Sequence, residues 1–141
     1  MSRNNTFIKA ERLCSQAAID WLFDGKGQSF SVFPLRVIFK SVPIESEGET
    51  FPDAPLPRLL ISVPKKRIHH AVERNRIKRL LREAYRKQKS PLIALATQQQ
   101  LAITLAFIYV AEEEATSVEL EECVSTALSR MVKTLHHESS L

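Results

Sequence analysis

One run of this chain must satisfy two opposed environments at once. Between Lys65 and Lys89 stand eleven Lys or Arg and two acids, Glu73 and Glu83, while the other 116 residues sum to a net charge of −5. On a wheel at 100° per residue, Ile77, Leu80, Leu81, Ala84 and Tyr85 share an apolar stripe. Lys78, Arg82, Asn75, Arg86 and Arg79 occupy an arc almost opposite, with Asn75 in its middle. A helix divided in this way needs a sheet or other helices under its stripe, and its far arc repels itself until anions cover it. The two acids are too few to pair it off internally by i,i+4 contacts.

The chemistry of that arc narrows the partner. A guanidinium grips two phosphate oxygens and stacks on bases, so the arginine bias favours nucleic acid over a lipid surface. Lys65, Lys66 and Arg67 extend the patch ahead of the helix. A membrane-surface helix would set Trp, Phe and Leu opposite its cations, whereas here strands flank it and its apolar side belongs to a core. A DNA-reading helix-turn-helix is disfavoured, because no short partner helix precedes this one.

The helix itself is predicted from about His69 to Gln88, ended by Ser90-Pro91. Before it, Glu11 to Phe23 reads as a helix with Leu13, Cys14, Ala17, Ala18, Trp21 and Leu22 on its core face. Ile19 and Phe23 fall outside that face. Asp24-Gly25-Lys26-Gly27 stops the helix. Phe30 to Lys40 is strand-like, with Leu35, Val37 and Phe39 alternating with Arg36, Ile38 and Lys40, and Pro34 splits it. Arg58 to Val63 and Leu101 to Val110 read as buried strands. Thr116-Ser117-Val118-Glu119 has capping-box spacing and opens a last helix striped by Leu120, Val124, Ala127, Leu128, Met131 and Leu135. The resulting fold is α+β, a small two-layer α/β sandwich with a mixed sheet of about four strands in the order α-β-β-β-α-β-α. Its 141 residues are expected to make a single nucleic-acid-binding domain over 1–141, with a polar N-terminal arm at 1–8 and an acidic, Pro-rich surface loop at 44–57.

Other chemistries find little support. The polar start, Met1 to Asn5, leads into no long apolar segment, which speaks against a signal peptide, and no stretch nears the ~20 apolar residues of a membrane helix. Two cysteines, Cys14 and Cys123, make no disulfide framework and read as core thiols of a reduced, cytoplasmic protein. His69-His70 and His136-His137 are adjacent pairs that point apart on a helix, so no metal site is expected. Glu112 to Glu114, with Glu119, Glu121 and Glu122, read as solvated acids near a helix N-terminus. Ser62, Ser117 and Ser125 sit in no nucleophile elbow, and three glycines form no phosphate loop. No catalytic residue is assigned.

The run Val63-Pro64-Lys65-Lys66-Arg67 through Arg86 resembles the signature of the bacterial ribonuclease P protein component. There a strand ends in two lysines and a helix carries R-N-R-x-K-R-x-x-R-E-x-x-R, matched here by Arg74, Asn75, Arg76, Lys78, Arg79, Arg82 and Glu83. The likeness extends to the order of elements from about Ile8 to Leu135, including Arg12-Leu13 before the first helix. It implies a left-handed β-α-β crossover, an exception to the usual hand. It also implies a protein cofactor of a ribozyme that is not catalytic alone. Mg²⁺ would sit on the RNA subunit and substrate, and the partners would be the ribonuclease P RNA and precursor tRNA, with no membrane and no DNA. The RNA would meet Lys65, Lys66, Arg67, Arg74, Asn75, Arg76, Lys78, Arg79, Arg82 and Arg86. The 5′ leader would lie in a cleft between the first helix and the sheet, at Ile19, Phe23, Arg36, Ile38 and Lys40. Ile19 and Ile38 depart from the family's usual aromatics, leaving Phe23 the main stacking platform. The competing reading is a basic RNA-binding protein of another kind, such as a ribosome-associated factor, with the helix as a phosphate clamp only.

Overall fold

Phe33 and Pro34 divide the first apolar run into a hairpin, β1 (Gln28–Val32) and β2 (Leu35–Pro43). The computed structural model describes residues 11–12, 16–44 and 56–139. Within these, α1 (Gln16–Leu22) precedes the hairpin. β3 (Arg58–Ser62), α2 (Ala71–Gln88), α3 (Ser90–Gln99), β4 (Leu101–Tyr109) and α4 (Ser117–Ser139) follow it. The expected arm at 1–8, Leu13, Cys14 and residues 45–55 of the acidic loop lie outside the described residues.

The sheet runs β1-β2-β4-β3, with β3 parallel to β4 and the other pairs antiparallel. Parallel neighbours cannot be joined by a hairpin, so the chain crosses one face through α2 and α3. That face carries Leu35, Val37 and Phe39 of β2 and Ile103, Leu105, Phe107 and Tyr109 of β4, all buried. α2 lays Ile77, Leu81, Ala84 and Tyr85 on it, and Tyr85 meets Phe107 edge to face with centroids 6.3 Å apart. All six predicted stripe residues of α4 are buried against the same core.

The expected sandwich and mixed four-stranded sheet are observed, with one helix more than expected. Ser90-Pro91 ends α2 but also starts α3, because proline at a first helical turn gives up only an N–H that has no helical partner there. α3 closes at Gln100, whose left-handed φ of 53° lets its N–H bond the carbonyls of Ala96 and Thr97. The capping signal at Thr116 is realised: its Oγ1 accepts the Glu119 N–H at 3.2 Å. Gly25, at φ +87°, ends α1 as the sequence pattern requires.

α1 lies on the opposite face of the sheet. Leu22, Ala18 and Ile19 pack there with Ile38 of β2, Leu60 of β3 and Ala106 of β4. The helical wheel places Trp21 on the core face and Ile19 outside it. The structure reverses both: Trp21 is 39% exposed, and Ile19 helps seat the helix. A helix of 7 residues makes a single narrow contact, and Leu22 with its neighbours Ile19 and Ala18 takes it.

Beyond β4 the chain is pinned by Tyr109, whose hydroxyl donates to the Glu113 carbonyl and accepts the Ala115 N–H at 2.9 Å. Burial, and then the nearby glutamates, hold its pKa above the usual phenol range against the Ala115 bond. Tyr109→Phe should therefore lose about 1–3 kcal/mol in urea unfolding, since it strips the buried Ala115 N–H of its acceptor. A loss within error would show that this pin does not hold the loop.

Candidate nucleic-acid interface

Charge on α2 is sorted by side. On the flank toward α4, Arg76 Nη1 lies 3.9 Å from Glu114 and Lys87 Nζ 3.6 Å from Glu121. Arg67, in the preceding turn, lies 3.7 Å from Glu112. Arg86 pairs with Glu83 one turn back on its own helix, at 2.9 Å. Lys65, Lys66, Lys78, Arg79 and Arg82, by contrast, have no described carboxylate within salt-bridge reach, and Asn75 is exposed among them. The arc expected from the wheel is thus present and is the side left uncompensated.

Two cations of the basic window are structural. Arg74 turns its Nη1 back onto the carbonyls of Ile68 (3.0 Å) and His69 (2.7 Å), fixing the turn that feeds α2. Lys89 points inward: its Nζ bonds both carboxylate oxygens of Glu11 at 2.7 and 2.8 Å, and the two side chains are 1% and 0% exposed. Counting charge along the sequence places Lys89 on the basic patch, whereas the fold buries it.

The described N-terminal residues add a cation that the expected set lacks. Arg12 forms a parallel bridge with Leu59 on the edge of β3, and it is exposed. Burial first, and then the charges of Arg12 and Arg79, push the pKa of Arg82 down, although an arginine stays charged at any working pH. Three guanidinium groups from two segments therefore share one field.

The second expected surface is the groove between α1 and the sheet. The structure brings Ile19 and Ile38 into one apolar cluster, which forms the seat of α1. Arg36 is exposed on the same strand face as Ile38, and Phe23 is 40% exposed just past the end of α1. Lys40 is committed locally: its Nζ donates to the Trp21 carbonyl at 2.7 Å and to Asp24 Oδ1 at 2.8 Å. The same ammonium stands 4.3 Å from the Trp21 ring centroid, a cation–π contact. Trp21 is thus a second exposed ring beside Phe23. The sequence signal that could have revealed it is the indole's habit of keeping one edge wet.

Cys123 is a core thiol, as expected. Its Sγ bonds the Val32 carbonyl at 2.9 Å, and burial pushes its pKa up to about 11. The described residues contain no group of three His, Cys, Asp or Glu able to hold a metal ion. No described helix is long and apolar enough to cross a membrane.

The Lys40 contact, with the Lys26 N–H, holds Asp24 below the usual aspartate range. A depressed carboxylate stabilises the fold above its unfolded pKa of ~3.9, and that gain disappears as pH falls through the folded value. Asp24→Asn should lower the melting temperature near neutrality and converge with the wild type in acid. An offset independent of pH would remove the ion pair as its cause.

A model of the ribonuclease P family matches residues 7–135. The chain is 38% identical over 123 residues to the ribonuclease P protein component of Porphyromonas gingivalis, covering 87% of this chain and 84% of that one. It is 36% identical over 117 residues to the protein of the same name from Chlorobaculum tepidum, covering 80% and 73%. Among solved structures, the RNase P protein of Staphylococcus aureus aligns with a TM-score of 0.63 at 25% identity, covering 87% of this chain and 96% of that one. The Thermotoga maritima RNase P protein shares the fold with a TM-score of 0.61 at 23% identity, over 85% and 96%.

Proposed function

The chain belongs to the ribonuclease P protein family, and from that membership we propose how its surfaces divide the work. It is the protein cofactor of a ribonucleoprotein endoribonuclease and associates with the ribonuclease P RNA. In our reading, the arc of α2 that carries Lys78, Arg79, Arg82 and Asn75, with Lys65 and Lys66 ahead of it, binds the phosphates of that RNA. The carrying observation is the one-sided neutralisation of the helix: acids from the β4–α4 loop and from α4 take Arg67, Arg76 and Lys87, and leave this arc open. Arg86 stays within reach of phosphate because its pairing with Glu83 is exposed, and such pairs are weak.

The groove beside α1 is proposed to hold the 5′ leader of precursor tRNA. Phe23 and Trp21 offer stacking faces, Arg36 offers a charge, and Ile19 with Ile38 underlies the helix. Lys40 acts there by fixing the end of α1. Mg²⁺ is assigned to the RNA and substrate, where the hydrolytic chemistry resides, and the cytoplasm is the proposed compartment. The reading as another kind of basic RNA-binding protein is not favoured, since the family match spans residues 7–135 and not the basic helix alone.

The test is single-turnover cleavage of a precursor tRNA by the cognate ribonuclease P RNA at low Mg²⁺. Cleavage at the mature 5′ end should depend on this protein, with none from protein alone. RNA binding without stimulation would overturn the assignment. Phe23→Ala should reduce the preference for substrates with a leader while leaving RNA affinity intact, and an unchanged preference would remove the groove from leader binding. Arg79→Ala and Arg82→Ala should each lower the slope of log affinity against log salt by roughly one unit, and Asn75→Ala should weaken binding with little change of slope. Unchanged slopes in both arginine variants would take α2 out of the interface.

A further inference from the structure

The buried pair of Glu11 and Lys89 stands apart from everything assigned above. Removing two charges from water costs several kcal/mol per ion, and apolar residues of similar volume often serve stability as well or better. Here the pair joins the segment before α1 to the junction of α2 and α3, and the carboxylate adds to burial, the larger cause, in raising the pKa of the Tyr85 phenol. The residue that follows Glu11 is Arg12. Consecutive Cα atoms are about 3.8 Å apart, so pinning one residue at its side chain largely fixes where the next begins. Arg12 is held a second time by its bridge to Leu59, and its exposed guanidinium acts on Arg82, as does that of Arg79.

Like charges gathered at a surface repel one another, and a phosphate between them reverses the sign. We infer that Arg12 is a phosphate-contacting residue of the RNA interface, adding a cation from the N-terminal segment to the Arg79–Arg82 arc, and that the buried Glu11–Lys89 pair is its positioning device. The phosphate site is therefore built from two separate parts of the chain. This inference rests on the reading of α2 as the RNA-binding helix.

The experiment is filter binding of the full-length protein to the cognate ribonuclease P RNA across a salt series. Arg12→Ala should lower the salt slope by about one unit, so that doubling the salt weakens binding about twofold less than in the wild type. Arg12→Lys should restore the slope. The double variant Glu11→Leu, Lys89→Met removes the charges and keeps an apolar filling, so its circular dichroism should be native while its slope falls as in Arg12→Ala. Adding Arg12→Ala to it should lower the slope no further. If Arg79→Ala lowers the slope and Arg12→Ala does not, the inference fails and the α2 reading stands. If neither changes it, the α2 reading itself fails. A native slope in the folded double variant would overturn the positioning role, and if that variant does not fold, Lys89→Met alone, with Arg12→Ala added to it, decides by the same slopes.

Discussion

The parallel pairing of β3 with β4 is the constraint from which the rest of the molecule follows. Two parallel neighbours require the chain to leave the sheet, cross a face and return. The crossover is made by α2 and α3, and α2 is obliged to give one side to Phe107 and its neighbours. Its opposite side is then turned to solvent along the length of an 18-residue helix. A cationic arc placed there is held rigidly, because the apolar stripe that anchors it is fully buried at Ile77, Leu81 and Tyr85. Rigid display costs little entropy on binding, which is what a phosphate-gripping surface needs.

The acids follow the same geometry. Exposed ion pairs contribute at most about 1 kcal/mol each, so Glu112, Glu114 and Glu121 are poor candidates for stabilising the fold. Their effect is on the field. By sitting on the α4 flank they pair the cations that face it, and the cations without a described carboxylate partner lie on the other side of α2. The exposed cations in and around this helix would otherwise attract phosphate on more than one side. The acidic cluster after β4 thus helps to set which side of α2 is proposed to meet phosphate.

Periodicity made the large elements legible. The stripes of α2 and α4, the split at Pro34 and the cap at Thr116 are local patterns, and each appears where its pattern lies. What failed to show in sequence depends on contacts between distant residues. Lys89 looks like one more cation of a basic run until Glu11, 78 positions earlier, is brought against it. Trp21 looks like core on a wheel extended back through Leu13 and Cys14, but the described helix begins at Gln16 and its contact with the sheet is narrow. α3 was hidden because one proline can end one helix and begin another. Arg12 shows in sequence only as part of the Arg12-Leu13 likeness, and its nearness to the basic helix depends on a bridge to β3 and on the field it exerts at Arg82.

The groove shows the same dependence on distant partners. A 7-residue helix is too short to hold its shape alone, so the place of α1 is set by the sheet. Ile19 and Ile38 supply an apolar seat, and Lys40, reaching from β2, satisfies the Trp21 carbonyl left over at the helix end. With two isoleucines closing the seat, the aromatic surface is displaced to the rim, where Trp21 and Phe23 remain about two-fifths exposed. A cleft lined by aromatics at its floor would stack bases inside it. One floored with isoleucine offers no such face, so the stacking proposed for this groove falls to the end of α1, and the strand below would contribute shape and, through Arg36, charge.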